Sequence, residues 1–482
     1  MRWKIVIFLA YLCLTAIFCY FHEPWRDEVD PWLMARDSSV ISIIKMSPNM
    51  GTPVLWHLIL KPLVINGFPF VALTVLNWIF VVIGTAILVF QSPFSIPVLV
   101  AICSSWVISF EYPAIGRNYG LGLLGLFLLL GSWGQKKTSL WKKIQFVIAW
   151  PLLCFSSVHF LSWVPGLLLM DWLLEKEKPS MTKAKTIYLV PLALFVLSVV
   201  ILWPSGTGQF SSSFVSAFQI KNLPGAVTQG FFPFFYVNKL SAGCSCILFL
   251  ICLKECNYKK ENRWITYILF VSVNSIFVFK YFHYAHRHSG FNWLLLIVSA
   301  WVGLLSVAGK TEQLVKRLTN RITWIFTSLA LVNAFGSISQ WVKEVNLPFT
   351  DAFKTAKFLR ESQLLEKPIS CFSEPHCSAI LGYLPMKKQF WYPATQRWGT
   401  HMLWDNDYFR GLSFNDESAF ERAYQFFEGQ GLQDEFVYIS NRQIESPARY
   451  GFRLVFADEV QGWRVKDEAF YVYQASQEAT QN

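Results

Sequence analysis

The sequence predicts a polytopic α-helical membrane protein that carries a soluble α/β domain at its C-terminal end. Three observations predict it. Of the 482 residues, 54% are hydrophobic and only 15% are charged, against roughly 25% charged in soluble domains. Apolar runs, several of them short, recur between residues 4 and 340, and every second gap between them is basic. From about Pro348 those runs stop, and shorter segments of mixed polarity follow. The net charge of +11 raises the question of nucleic acid. Its basic residues fall in short clusters between apolar runs, however, so they read as topology signals and no nucleic-acid partner is expected.

At about 20 apolar residues per span, spans are expected near 4–21, 69–90, 96–110, 118–133, 144–158, 160–174, 186–203, 239–253, 264–282, 290–308 and 323–340, about eleven in all. The division within 144–174 rests only on Ser156, Ser157, Val158 and His159. Met1-Arg2-Trp3-Lys4 and the apolar run to Phe21 read as an uncleaved first span, because no small-residue cleavage site precedes His22. With the N-terminus inside, the cytoplasmic gaps hold Lys136, Lys137, Lys142 and Lys143, then Lys176, Lys178, Lys183 and Lys185. Lys254, Lys259, Lys260 and Arg263 follow, and then Lys310, Lys316, Arg317 and Arg321. An odd number of spans then puts everything after Trp341 outside. The chain divides into a membrane domain, 1–341, with a long first outer loop at 22–68, and an extracytoplasmic α/β domain, 342–482.

That first loop opens His22-Glu23-Pro24-Trp25-Arg26-Asp27-Glu28-Val29-Asp30-Pro31-Trp32, with four carboxylates and one guanidinium. An ionised side chain at mid-bilayer costs about 2.5 to 3.5 kcal/mol, so the cluster belongs at the water interface. Asp30-Pro31 reads as a helix start, with Asp30 as the cap and Pro31 at the first helical position. Asp27 and Glu28 then lie in the loop feeding a helix that runs towards Ile44. Apolar and charged residues mix there at helical spacing, as in segments lying in the interface, and such a loop suits a lipid-borne substrate.

The second outer loop, Glu111-Tyr112-Pro113-Ala114-Ile115-Gly116-Arg117-Asn118-Tyr119, brings another carboxylate and an arginine to the same side. Lys280, His283, His286, Arg287 and His288 close the ninth span on that face. In the C-terminal part, helices are expected at Thr350–Leu365, Cys377–Leu384 and Asn415–Phe427. Strands are expected at Ile369–Ser373, Phe390–Pro393, Phe436–Ser440, Arg453–Ala457 and Ala469–Tyr473. Of ten cysteines only Cys371 and Cys377 lie in a polar region. Their spacing permits a bridge in an oxidising compartment without requiring one.

Trp25-Arg26-Asp27-Glu28 just past the first span, the run Trp32-Leu33-Met34-Ala35-Arg36-Asp37, Gly51-Thr52-Pro53-Val54-Leu55-Trp56, Arg117-Asn118-Tyr119 and Arg287-His288 together resemble the C-type membrane glycosyltransferases. Within them the likeness is to dolichyl-phosphate-mannose protein mannosyltransferases and bacterial polyprenyl-phosphate-sugar transferases. Thr52 stands where that family often has a histidine, so no histidine role carries over to it. The resemblance implies the C-type fold in a bacterial inner membrane, with the site on the outer face. A sugar would pass from a polyprenyl-phosphate donor to an envelope glycan, lipid or protein, with inversion.

Such a transfer needs a base for the acceptor hydroxyl and cations for the departing phosphate. Asp27 is the expected base, against the plainer reading of an ion pair with Arg26. Glu28 is expected to orient substrate or touch a metal, although neighbours in a chain usually point apart. Glu111, Arg117, Tyr119, Lys280, Arg287 and His288 are the candidate substrate and phosphate ligands, against simple anchoring to lipid headgroups. A divalent cation at Asp27 or Glu28 stays open; His283, His286 and His288 lack a carboxylate pair to complete a metal site. His57 and His159 read as packed polar residues.

No nucleotide-binding motif appears, which argues against a nucleotide-sugar donor. The rival classes are a transporter or flippase of lipid-linked glycans, and a non-catalytic assembly protein. The first predicts charges near mid-membrane and internal repeats, and neither is seen in the sequence; in the second the acidic pair would be dispensable.

Overall fold

A computed structural model describes residues 1–133, 139–174, 181–203, 223–231, 239–278, 286–405, 416–445, 447–458, 462 and 464–475. The chain is mostly helical, and a helix occupies each of the eleven places where a span is expected. Length and composition suit far fewer of them to crossing a bilayer. Among the described residues, three qualify: Arg2–Phe21, Ala72–Gln91 and Arg287–Val307. A fourth is added if Glu312–Ala334 and Gly336–Asn346, bent by 46°, count as one span.

The expectation of about eleven clear spans is therefore corrected, and for several of the helices the reason is length. Tyr119–Ser132 has 14 residues, about 21 Å of helix where the hydrocarbon layer is about 30 Å. Ile96–Cys103 has eight and is followed by a separate π-type turn, Val107–Glu111. Leu140–Ser156, with 17, begins Leu-Trp-Lys-Lys. Of the long apolar helices, Arg287–Val307 is enclosed by the others, with 94% of its window buried.

The first loop departs from its expected form. Its first helix, α1, runs Arg26–Asp37, starting five residues before Pro31. Glu28 accepts from the backbone N–H of Trp25 at 3.4 Å and so closes the helix start. Pro31 lies inside the helix and cannot donate to the Asp27 carbonyl one turn back. Lys61 Nζ donates to the carbonyls of Ala35 and Ser38 at 3.1 and 2.7 Å and satisfies the other end. Two more helices follow, α2 at Val40–Met50 and α3 at Leu55–Ile65, where a single helix reaching Ile44 was expected. Ser39 caps α2, and Gly51 ends it at φ +63, a conformation that favours glycine.

The C-terminal domain is a six-stranded mixed sheet, β1 Ile369–Cys371, β2 Phe390–Tyr392, β3 Arg397–Gly399, β4 Val437–Ser440, β5 Phe452–Ala457 and β6 Tyr471–Ala475. Its spatial order is β3-β2-β1-β4-β6-β5. The β1 strand pairs in parallel with both β2 and β4, and the remaining pairs are antiparallel. The three-residue β3 was not expected from the sequence. A disulfide joins Cys371, at the end of β1, to Cys377 in the helix Glu374–Gly382.

This domain is packed onto α1. Val29 and Leu33, one helical turn apart, are buried in the same apolar core as Ile380, Tyr438 and Val472. Gly382 permits that approach: a Cβ there would stand 2.5 Å from a methyl of Val29. One face of α1 thus belongs to the core of the α/β domain, and the other is left for the site.

Candidate functional site

A cavity of about 210 Å³ opens where the bundle, the first loop and the α/β domain meet. Asp27, Asp30 and Pro31 reach it from α1, and Trp56 and His57 from α3. Arg117 and Tyr119, His159, and Arg287 with His288 come from three bundle elements. Met402 and Trp404 close it from the α/β domain. Asp27 and Asp30 share the cavity because i and i+3 lie on one helical face.

Asp27 Oδ2 accepts from Arg117 Nη1 at 2.5 Å and from Arg287 Nη2 at 2.7 Å. Burial favours its neutral form, but Arg117, Arg287 and Arg26 outweigh burial and hold the carboxyl below its usual range. The two arginines are themselves placed. Asn77, in the helix Ala72–Gln91, donates to the carbonyls of Tyr112, Pro113 and Ile115 and fixes the turn leading to Arg117. The Arg287 guanidinium lies 5.0 Å from the centre of the Trp25 ring. Arg287 Nε is 3.3 Å from His288 Nε2, and His288 Nδ1 is 3.1 Å from the Tyr119 hydroxyl. The His159 ring stacks on that of His288 at 4.9 Å.

Asp30 differs from Asp27 in its surroundings. It is 5% exposed, and its Oδ2 accepts from Trp404 Nε1 at 3.1 Å. Burial pushes its carboxyl up to about 7; the Asp27 charge adds to this, and the Trp404 and Arg117 contacts and a hydrogen bond from the Met402 backbone oppose it. Three buried atoms of the cavity residues have no hydrogen-bond partner among the described residues: Asp30 Oδ1, His57 Nδ1 and Trp56 Nε1. Buried polar groups are normally satisfied, so these atoms suit a polar ligand.

Of the residues singled out in the sequence, Asp27, Arg117, Tyr119, Arg287 and His288 come together in the cavity. Glu28 points away from it. Its carboxylate accepts from the Gly116 N–H and meets His22 Nε2 at 2.8 Å, while His22 Nδ1 meets Glu344 at 2.8 Å. Glu28 thereby fixes the residue just before Arg117. Burial opposes charge on His22, but the carboxylates of Glu28 and Glu344 prevail and push it up to about 10. Glu111 also lies outside the cavity, accepting from Trp106 Nε1 at 2.9 Å and from Arg464 of the α/β domain at 3.0 Å. Lys280 and His283 fall outside the described residues.

Sequence reasoning missed Asp30 and Trp404 as cavity residues; His57 and His159, read as packed polar residues, are buried and also line the cavity. Asp30 was hidden by Pro31, which drew the helix start to the wrong place; a start at Trp25 would have put it on the face of Asp27. Trp404 has no local signal, because only the domain packing brings it to Asp30. Among the described residues no group of three or more His, Cys, Asp or Glu side chains is arranged to hold a metal ion.

Comparison with family models, curated proteins and solved structures gives no match for this chain.

Proposed function

We propose that this chain is an integral membrane glycosyltransferase that moves a sugar from a polyprenyl-phosphate donor to an envelope glycan, lipid or protein. The observation that carries the reading is the meeting of Asp27 with Arg117 and Arg287 at a cavity that also holds Asp30. Two guanidiniums match the oxygens of a phosphate, first in the bound donor and then in the departing polyprenyl phosphate. A carboxylate beside them can take the proton of an acceptor hydroxyl as its oxygen attacks the anomeric carbon. Direct displacement of this kind inverts that carbon. The tail has apolar surface available, since Val147, Leu189, Ile247, Val271, Trp324 and Leu331 of the surrounding helices are exposed.

The reading puts the bundle in a bacterial inner membrane, anchored by the long apolar helices with the N-terminus in the cytoplasm. The α/β domain lies outside, and the Cys371–Cys377 bridge suits an oxidising compartment. The test is donor consumption by purified protein in detergent. It uses a panel of radiolabelled polyprenyl-phosphate sugars, acceptors from a crude envelope extract, and parallel samples with chelator. Sugar transfer from at least one donor is expected, and the chelator samples report whether a divalent cation takes part. Consumption of none of them overturns the reading and favours transport or assembly of lipid-linked glycans.

A further inference from the structure

Among the described residues two carboxylates face the cavity, Asp27 and Asp30, and they differ in what holds them. Asp27 Oδ2 is already shared by Arg117 and Arg287, which withdraw its basicity. Asp30, one turn along the same helix, takes a hydrogen bond from the neutral indole of Trp404. Its Oδ1 is buried with no hydrogen-bond partner among the described residues. Trp404 holds an unusual backbone, with φ +50, which L-residues seldom adopt. Its carbonyl accepts from Asn49 Nδ2 at 2.8 Å. Both ends of Trp404 therefore tie the α/β domain to the first loop, next to Asp30.

We infer that Asp30 takes the proton of the acceptor hydroxyl, that Trp404 aims its carboxylate, and that Asp27 acts by holding Arg117 and Arg287 for the donor phosphate. The inference rests on the glycosyl-transfer reading. In the step, the acceptor O–H proton passes to Asp30 Oδ1 and the acceptor oxygen bonds to the anomeric carbon. The bond from that carbon to the phosphate oxygen breaks, and its electron pair stays on the polyprenyl phosphate, whose charge Arg117 and Arg287 receive. Asp30 then gives its proton to solvent.

Among the described residues, the titratable and charged groups facing Asp30 are Asp27 on its own helix and His57, Arg117, Tyr119, His159, Arg287 and His288 from the elements around the cavity. The carboxyl, pushed up to about 7 by burial, titrates where a general base is most effective.

The test compares wild type, Asp30→Asn, Asp30→Glu, Asp27→Asn and Trp404→Phe on the donor that wild type consumes, with kcat and donor KM read against pH. Asp30→Asn is expected to lose about 100- to 10,000-fold in kcat, with donor KM within a few-fold of wild type. Asp30→Glu is expected to recover part of that loss. Asp27→Asn raises donor KM more than it lowers kcat. The acidic limb of the wild-type profile moves to higher pH in Trp404→Phe, which lacks the indole donor, and is absent from the residual rate of Asp30→Asn. A folded Asp30→Asn with wild-type kcat overturns the inference alone. Wild type that consumes no donor overturns both this inference and the reading beneath it.

Discussion

Asp27 and Arg287 stand 260 residues apart in the chain, and their side chains meet at 2.7 Å. Arg117 meets the same carboxylate oxygen from a second bundle element. An acidic residue of the first loop is thus the point at which two remote arginines converge, and that convergence is the proposed phosphate site.

Removing either arginine tests the convergence. Arg287→Ala and Arg117→Ala are each expected to lower kcat/KM for a polyprenyl-phosphate donor by about 100-fold, or about 2.7 kcal/mol. Arg→Lys at either position restores only part, because an ammonium lacks the planar fork. Steady-state kinetics at fixed acceptor concentration measure it.

The buried triad of Glu28, His22 and Glu344 predicts a pH-dependent stability. His22 is raised to about 10 in the folded chain, against about 6.5 when unfolded. A raised pKa contributes stability that is fully present below the unfolded value and lost as pH rises through the folded one. Thermal unfolding in detergent should therefore show stability falling between about pH 6.5 and pH 10. His22→Gln should flatten that slope. His22→Ala leaves two buried carboxylates without their cation, and should cost about 3 to 5 kcal/mol.

At the domain contact, Gly382→Ala would place a Cβ 2.5 Å from Val29. Destabilisation of about 1 to 3 kcal/mol is expected from such overpacking. Val29→Ala in the same chain should recover part of it, since the two positions touch. Unfolding of the single and double variants measures the coupling, and an additive pair contradicts the contact.

The Cys371–Cys377 bridge closes a short loop, worth about 2 kcal/mol in the chain-entropy model. Reductant should lower the unfolding temperature of the wild type and leave Cys371→Ser/Cys377→Ser unchanged. Equal response of both proteins excludes the bridge.

Much of the architecture was legible because it rests on composition and periodicity. A helix lies at every expected apolar run, and the α/β character of the C-terminal part follows from its alternating segments. The number of clear spans was not legible from apolar runs alone. The run at 96–110 is interrupted after Cys103, and others, such as 144–158 and 160–174, are short of a spanning length from the start. At the site, Asp27, Arg117 and Arg287 declared themselves by standing next to apolar runs. Their pairing did not, because Asp27–Arg287 and Asp30–Trp404 are set by packing across the whole chain. Pro31 misled in a specific way: proline is usual at a helix start, and here it lies within the helix.

The most direct measurement follows polyprenyl phosphate release and sugar transfer from one radiolabelled donor, by wild type and by the Arg117→Ala/Arg287→Ala double variant. Wild type should release polyprenyl phosphate in step with sugar transfer, and the folded double variant should do so at least 1,000-fold more slowly (about 4 kcal/mol or more). Equal rates for the two proteins, or no release by either, would contradict a phosphate site built on Asp27, Arg117 and Arg287.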